Sequence, residues 1–167
     1  MTPAQLLTDC FDRVAGSVES VLDGLDDAAL TARVAPDANT IAWLVWHLAR
    51  VEDDHVAEVA GHEQAWTSEG FARRFDLPFD DGAIGYAQSA EEVGQVVVSA
   101  DLLGEYFTAV RSRTTAYLAG LSDEDLDRVV DDRWDPPVTL GVRLVSVVND
   151  ATQHVGQAAY VKGLVIR

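Results

Sequence analysis

Four long stretches of the chain carry apolar residues at intervals of three and four, which is the spacing of one face of an α-helix. Most of them follow a Ser or Thr that can cap a helix and end at a Gly that can stop one. These patterns predict helices over about residues 3–24, 40–61, 102–120 and 140–164.

The segments between these helices show no sustained strand alternation, and the best strand candidate, VGQVVVSA at residues 93–100, is short and isolated. Residues 62–88 combine glycines, Pro78 and several aromatic residues, which is typical of a long excursion that packs over the protein. Residues 131–140, with two prolines, predict a loop. The predicted fold class is all-α, a four-helix bundle with long crossover connections.

The composition bounds the domain count and the partners. A chain of 167 residues is the size of one domain, so residues 1–167 are expected to form a single helical bundle domain. Its 28 acidic and 12 basic residues give a net charge of −16, which disfavours nucleic acid and anionic membrane surfaces. No stretch has the pattern of a signal peptide or a membrane span, so the cytoplasm is the expected location.

Two polar residues interrupt the apolar pattern of the last predicted helix. Asp150 and His154 are four residues apart, so their side chains project from the same helix face, which is otherwise apolar. A buried polar pair must be hydrogen-bonded, paired or ligated. His47, within the second predicted helix, is a candidate third ligand from across the bundle.

Two imidazoles and one carboxylate form a donor set that leaves open positions on a divalent metal. The set favours Zn²⁺, with Ni²⁺, Co²⁺, Mn²⁺ and Fe²⁺ as alternatives. The other interpretation is that His154 is a hydrogen-bonded core histidine and that Asp150 lies on a solvated face. The spacing alone leaves both interpretations open.

The sequence resembles the DinB-like superfamily, which includes mycothiol-dependent maleylpyruvate isomerases and bacillithiol transferases. The resemblance rests on TIAWLVWHLARVEDDH and NDATQHVGQAAYVKGL. In that superfamily a Trp-His element of the second helix and an H-x-x-x-H-x-G-Q element of the fourth supply three histidines to one metal. By this resemblance His47 and His154 are metal ligands and Gly156 with Gln157 match the G-Q pair. Asp150, shorter than His, stands at the remaining ligand position.

Two arginines near these residues are candidates for substrate binding. Arg50 and Arg143 each lie within two helical turns of a predicted ligand on the same helix and could hold a substrate carboxylate by two parallel hydrogen bonds. A solvated ion pair is the alternative for both in this acidic chain.

Two functions from different classes remain open at this point. The first is a metal-dependent enzyme that uses a low-molecular-weight thiol of the mycothiol type on a small electrophilic substrate, as S-transferase or isomerase. The second is a non-catalytic DinB-like protein, either a dimeric or a stress-related binding module, with a vacant or structural metal site. A homodimer is expected in either case, because related bundles pair and because the second and fourth helices carry a large apolar surface.

Overall fold

The computed structural model describes residues 1–166 and confirms the all-α architecture. The described residues also contain a 3₁₀ turn at Glu124–Asp127 and two short strands, β1 (Val129–Asp131) and β2 (Val138–Thr139). In chain order the α-helices are α1 (Pro3–Leu22), α2 (Asp27–Thr31), α3 (Ile41–Ala60), α4 (Ala65–Ser68), α5 (Phe71–Phe75), α6 (Ala90–Val93), α7 (Ala100–Ala119) and α8 (Leu140–Val165).

The long helices α1, α3, α7 and α8 begin and end at local capping signals. Thr2 and Gln5 form a capping box at the start of α1. The Thr40 hydroxyl accepts a hydrogen bond of 3.1 Å from the Trp43 amide at the start of α3. Gly61 ends α3 in the left-handed conformation, at φ +72°, which glycine adopts without steric cost.

The four long helices form a bundle in which α1 and α3 each pack against both α7 and α8. One apolar cluster joins the starts of α1 and α8 to the ends of α3 and α7. Helices α1 and α8 therefore run in one direction and α3 and α7 in the other. Because α3 and α7 are parallel, their connection, residues 61–99, must travel the length of the bundle, which confirms the predicted long crossover.

Helix α3 is the most deeply buried of the long helices. It is buried on almost all sides because α7, α8, α2 and α4 all pack against it. The Asp53 carboxylate on α3 accepts hydrogen bonds from the backbone amides of Ala65 (2.9 Å) and Trp66 (2.8 Å) and from the Tyr106 hydroxyl (2.9 Å). These bonds fix the start of the crossover connection against α3 and α7.

A second buried acid on α3 has a different environment. Glu52 is completely buried, and within the described residues neither of its carboxylate oxygens has a hydrogen-bond partner. Burial raises the pKa of Glu52 to about 7, although the Thr114 hydroxyl and the Arg111 charge act in the opposite direction. Among the same residues, the buried Nε and Nη1 atoms of Arg111 also have no hydrogen-bond partner.

The segment before α8 contains two short strands that the sequence analysis did not predict. Residues 131–140 were expected to form a loop, but β1 and β2 pair antiparallel as a small hairpin. The turn is held by Asp131, whose carboxylate accepts bonds from the Arg133 backbone amide (3.1 Å) and guanidinium (2.9 Å). The strand candidate at residues 93–100 is not a strand: it spans the end of α6, an irregular stretch and the start of α7.

None of the helices in residues 1–166 combines the length and the apolar character that crossing a bilayer requires.

Candidate metal centre

His47 lies on α3, with only 2% of its surface exposed. The Trp43 indole, one helical turn earlier, stacks on its ring with centroids 4.6 Å apart and planes 11° from parallel. Its Nδ1 donates a hydrogen bond to the Ile84 carbonyl in the crossover connection. Because a carbonyl only accepts, the proton is on Nδ1 and the lone pair is on Nε2.

The same arrangement of protons holds for His154 on α8. Its Nδ1 donates to the Asp150 backbone carbonyl at 2.9 Å, so Nε2 is again left with the lone pair. The Asp150 Oδ2 atom lies 3.3 Å from that Nδ1, but it is buried and has no hydrogen-bond partner within the described residues. A buried carboxylate oxygen without a partner is costly unless a cation binds it.

The structure brings all three predicted ligands together. One ligand atom from each of His47, Asp150 and His154 lies within 4.8 Å of the others, and the two imidazole centroids are 4.6 Å apart. Ligand atoms of one tetrahedral metal site, with bonds of about 2.0–2.2 Å, lie about 3.5 Å apart, so a bound ion would draw the three side chains slightly closer together. The two imidazoles and the carboxylate are therefore the right donor types, close enough together to hold one divalent ion.

The two imidazoles differ in their affinity for protons. Burial lowers the pKa of His47, and the nearby His154 acts in the same direction, so His47 is neutral at pH 7. Burial also opposes the charged form of His154, but the nearby negative charge of the Asp150 carboxylate and the bond to the Asp150 backbone carbonyl outweigh it and raise the pKa of His154. Protons therefore compete with a metal mainly at His154.

Gly85 belongs to the site, although its only sequence signal is its place among the glycines of the excursion. Its φ is +99°, and a Cβ atom on this residue would lie 2.5 Å from His47 Nδ1 and 3.2 Å from the Trp43 ring. Only glycine allows the backbone to approach so closely that the Ile84 carbonyl meets His47.

The Gly85→Ala substitution is expected to weaken metal binding at least about tenfold, the usual effect of losing the partner that orients a ligand histidine. The added methyl group must push the Ile84 carbonyl away from His47 Nδ1. Competition against a chromogenic chelator measures the affinity. Gly82→Ala in the same connection is the control, since its Cβ would meet only the Asp80 side chain; equal affinities for both variants would contradict the role of Gly85.

A pocket of about 260 Å³ reaches the site at Asp150. Arg143 lines it, and its Nη1 donates to His55 Nδ1 at 2.9 Å while its Nη2 lies 3.2 Å from the Asp131 carboxylate. Burial, followed by the Arg143 charge, lowers the pKa of His55. The walls of the pocket are formed by Val51, His55, Tyr86, Arg143, Ser146, Val147, Asn149, Asp150 and Gln153.

Arg50, the other predicted substrate-binding residue, does not line this pocket, and it is not the solvated ion pair of the alternative interpretation. The side chain has no exposed surface, and its guanidinium lies 4.9 Å from the Trp66 ring centroid. Each of its three nitrogens donates to an acceptor inside the protein: Gln64 Oε1 (2.8 Å), the Ala83 carbonyl (3.2 Å), the Asp81 carbonyl (3.3 Å) and the Tyr106 hydroxyl (3.3 Å). Arg50 thus holds both ends of the crossover segment 64–83 against α3.

The aromatic residues of the excursion have two different roles. Trp66 and Phe75 pack against Tyr106 in the core, with centroid separations of 5.2 and 5.6 Å. Tyr86 instead lies at the pocket, with its ring centroid 5.5 Å from that of His47.

Comparison with known proteins supports the same family for fold and sequence. No curated protein matches the chain. The chain is similar to a conserved protein from Enterococcus faecalis of known crystal structure, with 35% sequence identity, a TM-score of 0.93, and coverage of 99% of this chain and 98% of that one. The family model described as mycothiol-S-transferase matches residues 6–165. The DinB-like resemblance is thereby confirmed, and the chain belongs to the mycothiol-S-transferase family.

Proposed function

We propose that this protein transfers a low-molecular-weight thiol of the mycothiol type to a small electrophilic substrate, with a divalent metal held by His47, Asp150 and His154. The observation that carries the proposal is the convergence of these three side chains beside a pocket, where Asp150 Oδ2 is buried without a hydrogen-bond partner among residues 1–166. Membership of the mycothiol-S-transferase family supports the thiol as the transferred group.

A divalent ion, when bound, lowers the pKa of a thiol that binds to it, and the thiolate is the nucleophilic form. In the transfer the thiol releases its proton to solvent water, sulfur forms a bond to the electrophilic carbon, and the leaving group departs with the electron pair of its bond. The protein keeps both ligand imidazoles in the tautomer with a free Nε2, through the Ile84 and Asp150 carbonyls. Trp43 covers one face of His47 and excludes water from it.

The remaining parts of the proposal concern the pocket and the assembly. Arg143 is proposed to donate a hydrogen bond to an oxygen atom of the substrate, because it lines the pocket beside Asp150. Zn²⁺ as the ion and a homodimer as the assembly stay predictions. The exposed apolar side chains Val142 and Val145 on α8 are consistent with a partner surface.

Cobalt substitution tests the proposal. Adding mycothiol to the Co²⁺ protein is expected to produce a sulfur-to-cobalt charge-transfer band, since a thiol that enters the open position binds as thiolate, with its pKa below the free value of about 8.5. The Asp150→Ala variant, which lacks one ligand, serves as the matched control and should show no band.

The proposal would be contradicted if the wild-type site bound cobalt but no added thiol changed its absorption spectrum. Such a site is closed or structural, and the non-catalytic binding protein is then the function to pursue.

A further inference from the structure

The crossover connection is fastened over the metal centre by a short strap, which we define as residues 84–88. At one end the Ile84 carbonyl accepts the hydrogen bond from His47 Nδ1. At the other end Gln88 Oε1 accepts one of 2.6 Å from Trp43 Nε1. His47 and Trp43 are one turn apart on α3, so both ends of the strap are fixed to the same helix face.

The backbone of the strap adopts unusual conformations on both sides of Tyr86. Gly85 has φ +99° and Ala87, which carries a Cβ atom, has φ +58°. A non-glycine residue in this region costs on the order of 1 kcal/mol, and such residues cluster at functional sites. The result is that Tyr86 projects outward beside His47, with 58% of its surface exposed.

Polar side chains face the same pocket from α8. Ser146, Asn149 and Gln153 are exposed, recur at intervals of three and four, and line the pocket together with Tyr86. The Asn149 amide forms no hydrogen bond within the described part of the chain, residues 1–166, so its donors and acceptor are available to a ligand.

The pocket offers little free positive charge. Among the described residues that line it, Arg143 is the only guanidinium or ammonium group, and Asp131 and Glu58 already lie within 3.2 and 3.4 Å of it. Burial keeps His55 neutral at pH 7 by lowering its pKa. An anionic ligand therefore finds no unpaired cation here, whereas a neutral ligand with many hydroxyl groups finds amides, a hydroxyl and an aromatic face.

We propose that Tyr86 is a specificity-determining residue whose ring packs against the uncharged, hydroxyl-rich scaffold of the thiol, while Asn149 and Gln153 bond to its hydroxyl groups. The inference rests on the proposed function, because it places the scaffold beside the metal that binds the sulfur. The ring supplies contact area at small entropic cost, and the amides orient the scaffold.

Thiol titrations of the Co²⁺ protein test the role of Tyr86, with the charge-transfer band as the measure of binding. Mycothiol carries a glucosamine–inositol scaffold, and 2-mercaptoethanol, the second probe, carries none. The Tyr86→Ala variant is expected to bind mycothiol at least about tenfold more weakly and to bind 2-mercaptoethanol as the wild type does. Tyr86→Phe keeps the ring and should stay within about twofold of the wild type for both thiols.

Tyr160→Ala is the matched control, because Tyr160 is 67% exposed on α8 and does not line this pocket. The mycothiol affinity of this variant should equal that of the wild type.

Wild-type affinity of Tyr86→Ala for mycothiol would overturn the inference and leave the proposed function intact. Equal losses for both thiols would also overturn it, since Tyr86 would then act on the metal ligands. A Tyr86→Phe variant as weak as Tyr86→Ala would assign the effect to the hydroxyl and overturn the packing role. If neither thiol produced a charge-transfer band with the wild-type Co²⁺ protein, both the proposed function and this inference would be wrong.

Discussion

Replacing His154 with alanine is expected to reduce the metal content of the purified protein from about one ion per chain to close to none. The substitution removes the imidazole whose Nε2 completes the set with His47 and Asp150, and two ligands cannot hold an ion against dialysis. Alanine is the best helix former, so α8 should remain intact. Metal analysis of protein prepared without a polyhistidine tag measures the outcome.

His62→Ala is the control for the loss of a histidine as such. His62 is exposed beyond the end of α3, and within the described residues its imidazole bonds only to the neighbouring Glu63 carbonyl, at 2.9 Å. This variant should keep the wild-type metal content. If His154→Ala also retained one ion per chain, the three residues could not be the metal site.

The Glu52→Gln substitution is expected to remove a large part of the pH dependence of folding stability. Burial raises the pKa of folded Glu52 to about 7, from an ordinary value of 4.5, so the folded state holds this proton more tightly than the unfolded chain does. The resulting stabilisation is complete below pH 4.5 and is lost as the pH rises through 7. The difference corresponds to about 3 kcal/mol in the free energy of unfolding.

Chemical denaturation at pH 5 and pH 8 measures this effect. Relative to the wild type, the free energy of unfolding of Glu52→Gln should rise by roughly 2–3 kcal/mol between pH 5 and pH 8, since glutamine cannot ionise. Glu63→Gln at an exposed position should parallel the wild type. A parallel profile for Glu52→Gln would mean that the carboxylate is paired or hydrated in solution.

Much of the fold was predictable because its signals are local in sequence. The caps at Thr2 and Thr40 and the stop at Gly61 depend on neighbouring residues only, and the apolar periodicity sets the buried face of each long helix. Asp150 and His154 were recognisable for the same reason, as polar residues four apart in an apolar helix.

Other residues have roles that could not be predicted from the sequence, because these roles depend on contacts between segments that are distant along the chain. Gly85 and Tyr86 are part of the site only because the crossover connection returns to α3. Arginine is usually found at the protein surface, yet the same connection buries Arg50. The short hairpin of β1 and β2 has too few residues to show alternation, and its turn depends on Asp131 and Arg133.

The crossover's attachment to α3 has a consequence for the order of folding. The hydrogen bonds that hold Ala83, Ile84 and Gln88 against α3 join residues 33 to 45 positions apart, whereas Lys162 on α8 donates to the Ser20 carbonyl 142 positions away. Closing the loop between α1 and α8 costs more conformational entropy than closing the loop between α3 and the strap. The strap is therefore expected to pack against α3 before α8 docks.

The candidate metal centre then lies between a part of the molecule that folds early, α3 with the strap, and a part that folds late, α8. An intermediate without docked α8 would already hold His47 in its final tautomer but would present only one of the three ligands. Metal capture in refolding experiments should therefore coincide with the last step and report the completed fold.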